Sequence, residues 1–596
     1  MSRWMAGLFA ALALTGVAAA ETEDWRTPAE ISDYTRTPDY AETLAWLKAL
    51  DARCAAIELS EFGRSAQGRD LPLVVAARPG HADPHTAQRA GDNIVLIQAA
   101  IHPGENEGKD ALMILLRELC FAPEGRRWLA HSTLLLMPIF NVDGHERRGP
   151  FNRINQNGPA ELGWRTTATN LNLNRDYVKA DTPEMRAWLR VFNAWQPHLV
   201  IDLHNTDGAD YVYDSTYIIE QGPHVPAALS QWQDQALLGR AFAAVGEDGF
   251  KLAPYIQLVD ATEPTAGIVR FIASPRFSSG YALARHRVGL IVENHMLKDF
   301  RRRTLVSVAL LRAVLDELAA RPKALPAAVA AAEAEARRMQ EGVPLGVRVA
   351  DSTRMGELEG YAYTRSLSEI SGAVWIRYRP EQPQTWRLPI RDQVEVSLAV
   401  TPPAAWIIPA EWHSVIERLD AHGIESHTLA AAQNLPVELD RATRIAYATR
   451  PFEGRFMSTE IEVEPLRRTQ NFVAGSRVVP YAQSAGRLAL HMLDPRGPDS
   501  LLRWGFFHSR FEDKEYFEPR VMESLAREIL AERPELRAAF EAKLADPAFA
   551  GSADARLRFF YEQSPWYDRE RNVIPVARID AATLARLREE GALGPE

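Results

Sequence analysis

The 596-residue chain has only two cysteines, Cys54 and Cys120, which excludes a disulfide framework but leaves room for one bridge in an oxidising compartment. It has no excess of basic charge either: 68 Lys and Arg stand against 78 Asp and Glu, a net charge of −10. Nucleic acid and anionic membranes are therefore poor partners. After residue 20 no run is long and apolar enough to span a bilayer, and no repeat of fixed period recurs. The one concentrated apolar run, residues 1–20, carries a single Arg and ends in Ala18-Ala19-Ala20 before acidic sequence. It reads as a cleaved secretory signal peptide, which implies a secreted or periplasmic protein with no stable membrane insertion afterwards. Glu21 rather than Cys follows the cleavage site, so no lipid anchor is indicated.

What is present is an ordinary globular composition, 46% apolar and 24% charged, in a chain long enough for two or three domains. From Tyr40 to Ala320, apolar runs of strand length alternate with stretches of helical periodicity. The strands are Leu71–Ala77, the run from Asn93 up to His102, Thr133–Ile139, His198–Leu203 and Val288–Val292; the helices include Tyr40–Asp51, Pro183–Trp195 and Arg303–Ala320. That alternation predicts an α/β fold, a mixed but mainly parallel sheet sandwiched by helices. Residues 322–345 read as a linker helix. Beyond 346 the pattern turns to strands (Ala373–Arg379, Thr385–Ile390, Gln393–Val400, Gly486–Leu493), with helices from Glu518 onward. The expected organisation is thus a signal peptide over 1–20, an α/β domain over 21–321, and a β-rich accessory region over 346–596 with helical closing segments. The tryptophans past 346 would form either a sugar-stacking face or, more simply, core. Arg301-Arg302-Arg303 reads as a solvated turn into a helix.

Polar residues collect where the apolar strands end. His102 and Glu105 stand three apart in a tight turn at the end of the strand that starts at Asn93, a spacing that lets both side chains reach one metal ion. A loop with a helix-capping Glu would look the same, so the pair is only a half-site. His204, at the end of another buried strand, completes a His/Glu/His set of three protein ligands, the usual number for catalytic zinc. Glu293, at a further strand end, would be the base beside the activated water. Asn174-Arg175 offers an amide and a guanidinium fork suited to a carboxylate, and Arg165 a donor for a developing oxyanion.

Taken in order, these blocks resemble the zinc carboxypeptidases of the carboxypeptidase A type, over about residues 40–300. They are Gly63-Arg64-Ser65 with Gly68-Arg69, His102-x-x-Glu105, Asn141-x-Asp143-Gly144, Trp164-Arg165, Asn174-Arg175, His204, and Glu293 in VENHMLK. The resemblance implies a zinc metallocarboxypeptidase, a bacterial-type member with a C-terminal accessory domain, acting on peptides with a free C-terminus. One Zn2+ would be held by His102, Glu105 and His204. Glu293 would serve as general base and acid, Arg165 would stabilise the oxyanion, and Asn174 and Arg175 would anchor the terminal carboxylate. Two other readings stand beside it: an amidase or deacylase on the same scaffold, and an inert peptide- or glycan-binding protein. The sequence departs from the family at Pro103 and Gly104, and at Asn172, where members commonly carry an aspartate that orients a ligand histidine. Asp202 is the candidate substitute. The family's mobile tyrosine has no secure match, Tyr281 lying too near Glu293 and Tyr255 too far.

Overall fold

The computed structural model describes residues 24–206, 208–339 and 341–594, so the leader expected over residues 1–20 lies outside the described residues. The strands of the first half are β1 (Ile57–Arg64), β2 (Asp70–Ala76), β3 (Asn93–Ala99), β4 (Ser132–Met137), β5 (Leu199–Thr206), β6 (Ser215–Ile219), β7 (Leu252–Pro254), β8 (Gln257–Leu258), β9 (Ile268–Val269) and β10 (Val288–His295). Among the described residues eight of them form one sheet, in the order β1-β2-β4-β3-β5-β10-β6-β7. Its centre, β4-β3-β5-β10, is parallel, while β1-β2, β2-β4 and β10-β6 are antiparallel.

The central strands are apolar on both faces because both are covered. On β3, Val95, Ile97 and Ala99 face a core built with the helices Tyr40–Asp51, Glu107–Phe121 and Phe300–Ala320. Ile94 and Leu96 face the opposite core, with the helix Pro183–Trp195. Gln98 is the polar exception on that second face, and it is satisfied: Tyr177 bonds its side-chain amide at 2.6 Å and Trp188 Nε1 donates to its Oε1 at 2.7 Å. The helix Ala324–Arg338 does not span free; Leu325, Ala328, Val329 and Ala332 are buried in the first core.

The second half is β-rich. A six-stranded sheet runs His427–Thr428, Arg477–Pro480, Ala405–Ile408, Val573–Ile579, Gln433–Tyr447, Ser458–Phe472. A long hairpin, Arg354–Leu367 with Val374–Arg391, pairs through its last residues with β9. The core on the second sheet face continues without a break into Leu345, Trp406, Ile408, Leu490 and Trp504, so the two halves share one interior. Trp386, Trp406 and Trp504 are buried core residues, whereas Trp375 and Trp566 are exposed.

Three local expectations are corrected. Gly486–Leu493 is an α-helix, not a strand; all eight residues are buried, and an apolar run buried all round carries no period to distinguish the two. Ala373–Arg379 and Thr385–Ile390 are parts of one strand, Val374–Arg391, which passes Pro380 and Pro383 by a register shift. Arg303 is fully buried rather than solvated, donating to the carbonyls of Asn157 at 2.7 Å and Gly158 at 2.8 Å.

Cys54 and Cys120 are joined in a disulfide, with Cα atoms 5.6 Å apart and a sequence separation of 66. The bridge ties the end of helix Tyr40–Asp51 to the end of Glu107–Phe121, the helix that begins beside His102 and Glu105. Closing a loop of that length restricts the unfolded chain by about 2–4 kcal/mol. Reduction, or Cys54→Ala with Cys120→Ala, is therefore expected to lower the melting temperature by several degrees, read by circular dichroism with and without reductant. An unchanged melting curve would mean the bridge adds nothing to the fold.

Candidate metal centre and active site

The turn after β3 is shaped by Ala100, a buried residue at φ 53°, in the left-handed region that non-glycine residues seldom occupy. It redirects the chain into Ile101-His102-Pro103-Gly104-Glu105, closed by the Glu105 N–H donating to the His102 carbonyl at 2.8 Å. The helix that follows starts almost on the strand tips. A Cβ added to Gly108 would lie 2.6 Å from Leu203 Cβ, so glycine is what lets the helix approach.

Strand parity delivers the other side chains. On β5, Leu199, Ile201 and Leu203 face the first core, which leaves Asp202 and His204 on the opposite face. On β10, Val288, Leu290 and Val292 do the same, so Ile291 and Glu293 share the face of His204. Glu293 is the register partner of His204 across the parallel pair.

The donor atoms of His102, Glu105 and His204 all lie within 4.8 Å of one another, and all three residues are buried. Each carboxylate oxygen of Glu105 meets one imidazole: Oε1 is 3.1 Å from His102 Nδ1 and Oε2 is 3.0 Å from His204 Nδ1. Behind the rings, His102 Nε2 lies 2.9 Å from Asn172 Oδ1 and His204 Nε2 lies 2.9 Å from Asp202 Oδ2. Those acceptors hold the Nε2 side of each ring and turn each Nδ1 toward Glu105, the orientation a metal ligand needs. Two imidazoles and a carboxylate, converging and braced from behind, fit a zinc ion. Asp202 does not replace Asn172. The two serve different histidines, because one side chain projects from β5 beneath His204 and the other from a loop beside His102.

The electrostatics agree with a cation seat. Burial pulls His102 down to about 4, keeping it neutral. Burial alone would also lower His204, but the Asp202 charge outweighs it and holds the ring well above the ordinary range. For Glu105 burial pushes upward and is overcome by the His102 contact and the Arg153 charge, leaving a carboxylate held well below its ordinary range.

A cavity of about 180 Å³ joins this cluster to Arg153, Arg165, Asn174, Arg175, Tyr255 and Glu293, with Ile218, Phe271, Phe277 and Ile291 as its apolar wall. All seven residues singled out from the sequence meet there. Arg165 is 3.4 Å from Glu105 Oε1. The Arg175 guanidinium lies over the Phe277 ring at 4.3 Å and is pulled down to about 10 by burial and by the repelling Arg165 charge. A buried, repelled guanidinium of that kind favours an anion beside it.

Several residues escaped the sequence reading. Arg153, 3.0 Å from Glu105, crosses the site of Gly104, where a Cβ would meet its side chain at 2.5 Å; only the missing side chain at 104 hints at it. The Asn205 N–H donates to Glu105 Oε2 at 3.0 Å, a backbone contact that leaves no sequence trace. Of the two candidate tyrosines, Tyr255 lines the cavity; Tyr281 is buried in the core, 3.0 Å from His422 Nδ1. Asp143 does not line the cavity. It gathers the Gly63–Arg69 turn through Ser65 Oγ at 2.8 Å, the Gln67 N–H at 3.0 Å and Arg69 at 2.6 Å.

Comparison with known proteins gives the same answer from a separate direction: residues 43–244 match the zinc carboxypeptidase family. Over that stretch the chain is similar to the zinc carboxypeptidases. Carboxypeptidase 2 of Trichophyton rubrum is 21% identical over 497 residues, covering 80% of this chain and 85% of that protein. Carboxypeptidase 2 of Trichophyton tonsurans is 21% identical over 527 residues, covering 84% and 90%. A crystal structure of a metallo-carboxypeptidase from Burkholderia cenocepacia aligns at 19% identity over 47% of this chain and 69% of that one, with a TM-score of 0.37.

Zinc is the family's metal, and the bracing of its ligands yields a test. Asp202→Asn would leave His204 in place but remove the charge behind it, and is expected to weaken zinc binding about 10–100-fold in competition with a chromogenic chelator. Asn172→Asp is expected to tighten it. Equal affinities in all three proteins would mean the residues behind the rings do not tune the site.

Proposed function

We propose that the protein is a zinc-dependent metallocarboxypeptidase that hydrolyses the C-terminal peptide bond of peptides, using His102, Glu105 and His204 as the zinc ligands. The observation that carries the reading is one cavity with two seats: a buried His/Glu/His donor set and, on the same wall, the Asn174–Arg175 pair. When bound, zinc polarises the scissile carbonyl and makes water acidic enough to be deprotonated near neutral pH.

The protein's own groups do the rest. Arg175 and Asn174 receive the terminal carboxylate, which offsets the cost of keeping the guanidinium charged in a half-closed cavity. Arg165 donates to the carbonyl oxygen as negative charge develops there. Glu293, beside His204, accepts the water's proton and returns it to the leaving amine. Ile218, Phe271, Phe277 and Ile291 offer the departing residue an apolar surroundings, which supports preference for apolar C-terminal side chains. In this reading residues 21–321 form the catalytic domain. The protein works outside the cytoplasm after residues 1–20 are removed; the Cys54–Cys120 bridge supports an oxidising compartment. Among the described residues no helix is long and apolar enough to cross a membrane.

Glu293→Gln is expected to lower kcat by about 10²–10⁴-fold while zinc content, measured by mass spectrometry, is unchanged. Near-normal turnover would remove Glu293 as the base. Peptides with an amidated C-terminus should be cleaved far more slowly than the free acids in a chromatographic assay; equal rates would end the exopeptidase reading.

A further inference from the structure

The strands Gln433–Tyr447 and Ser458–Phe472 form a long hairpin of the six-stranded sheet, and the segment joining them, residues 448–457, lies against the catalytic half. Arg455 forks onto Asp181 at 2.7 and 2.8 Å. Phe452 stacks on Trp504 with ring centroids 6.1 Å apart, and the Arg276 guanidinium is 5.9 Å from the same Phe452 ring. At Gly454 an added Cβ would lie 3.2 Å from Leu171. Between these anchors Glu453 sits at φ 49°, a left-handed backbone that persists in a non-glycine residue when its surroundings hold it there. Its Oε2 accepts the backbone N–H of Asn172 at 2.7 Å, across 281 residues of sequence.

Asn172 is a junction. Its Oδ1 receives His102 Nε2 at 2.9 Å and the Asn174 N–H at 2.9 Å, and its carbonyl accepts the Arg175 N–H at 3.0 Å. The residue that braces one zinc ligand therefore also sets the turn that presents the carboxylate anchors, and its own N–H is held from the other half of the molecule. Glu453 is also among the charges that act on Arg175, in the sense that favours the protonated guanidinium.

We propose that Glu453 is a positioning residue of the carboxypeptidase site: the C-terminal half supplies the acceptor that holds Asn172, and through it His102, Asn174 and Arg175. The site is then incomplete without residues 448–457, and the region after 346 buttresses the active site from behind its lining. This rests on the functional reading above.

The test uses the full chain. Glu453→Gly keeps the left-handed backbone free of strain and deletes the acceptor; Glu453→Gln keeps an acceptor oxygen. Glu453→Gly is expected to raise KM for a short free-acid peptide and the rate of zinc loss to a chelator, each by about 10-fold, with kcat falling less. Glu453→Gln should recover both to within about threefold of wild type. A merely structural role would instead lower the active fraction, and so kcat, at unchanged KM. Should Glu453→Gly melt early, Glu453→Asn, which tolerates the left-handed backbone but is one methylene shorter, replaces it with the same two expected changes. Wild-type KM and zinc retention in the folded variant, or equal damage from Gln and Gly, would overturn the proposal. Zinc loss is read without substrate, so a wild-type protein that releases no C-terminal residue would defeat the functional reading and leave this test standing.

Discussion

The Glu105 carboxylate is the group on which the site depends. It is buried at the tips of parallel strands and is met by two imidazoles, the Asn205 N–H and two guanidiniums, with contacts from 3.0 to 3.4 Å. Leaving a carboxylate buried without such partners would cost several kcal/mol, so its neighbours are as much a condition of folding as of chemistry. The neighbours come from far apart in sequence: His102 from the same turn, His204 and Asn205 from β5, Arg153 and Arg165 from the loops between β4 and β5. Parallel pairing brings them together, because it places the carboxyl ends of β3, β5 and β10 at one edge of the sheet. Once β3 and β5 are paired in register, the meeting of Glu105 with His204 follows.

A second charge, Asp181, does for the two halves what Glu105 does for the site. It receives Arg455 and Arg418 from the C-terminal half and lies 3.3 Å from Lys179 of its own. Burial would raise this carboxyl, but the Arg455 bond and the Lys179 charge carry it down to about 2. It therefore stays charged under any ordinary condition, and the arginines it holds stay fixed. Arg276 on Asp499, at 2.5 Å and 19% exposed, adds a contact of the same kind next to Phe277 of the cavity wall. A unit that merely hung from a linker would not need buried ion pairs or a shared apolar interior. The β-rich region packs on the half that carries Asn172, Asn174 and Arg175 and bonds the backbone of Asn172.

How much of this was legible in the sequence depends on the range of the interactions involved. The alternation of apolar runs with helical periods gave the α/β half, since each strand buried on both faces must be apolar along its length. The strand-end positions of His102, Glu105, His204 and Glu293 were visible for the same reason: a polar residue at the end of an apolar run stands out. Arg153 and Glu453 were not visible, because each sits in an irregular loop and acts across dozens or hundreds of residues of chain. Counting left the tyrosine unassigned, as the loop length before β10 says nothing about which ring turns inward. Arg303 looked solvated since charge in a helical first turn usually is; its burial rests on carbonyls of the Asn157–Gly158 loop that no local pattern announces. In Gly486–Leu493 the error came from burial on all sides, which erases the polar face that would have marked a helix.

The bracing of the two histidines is unequal, and the inequality has a physical sense. A carboxylate behind His204 makes that ring a strong donor and lends it part of a negative charge; an amide behind His102 orients its ring without adding charge. With Glu105 already ionised, a second carboxylate behind His102 would bring the anionic groups around the seat to three. Each further negative charge delivered through a ligand neutralises more of a bound dication and so weakens its pull on a carbonyl oxygen or a water. Asn172 keeps the geometry and withholds the charge. It is also the residue whose backbone N–H donates to Glu453, so the acidic group contributed by the second half reaches His102 only through a neutral amide, at one remove.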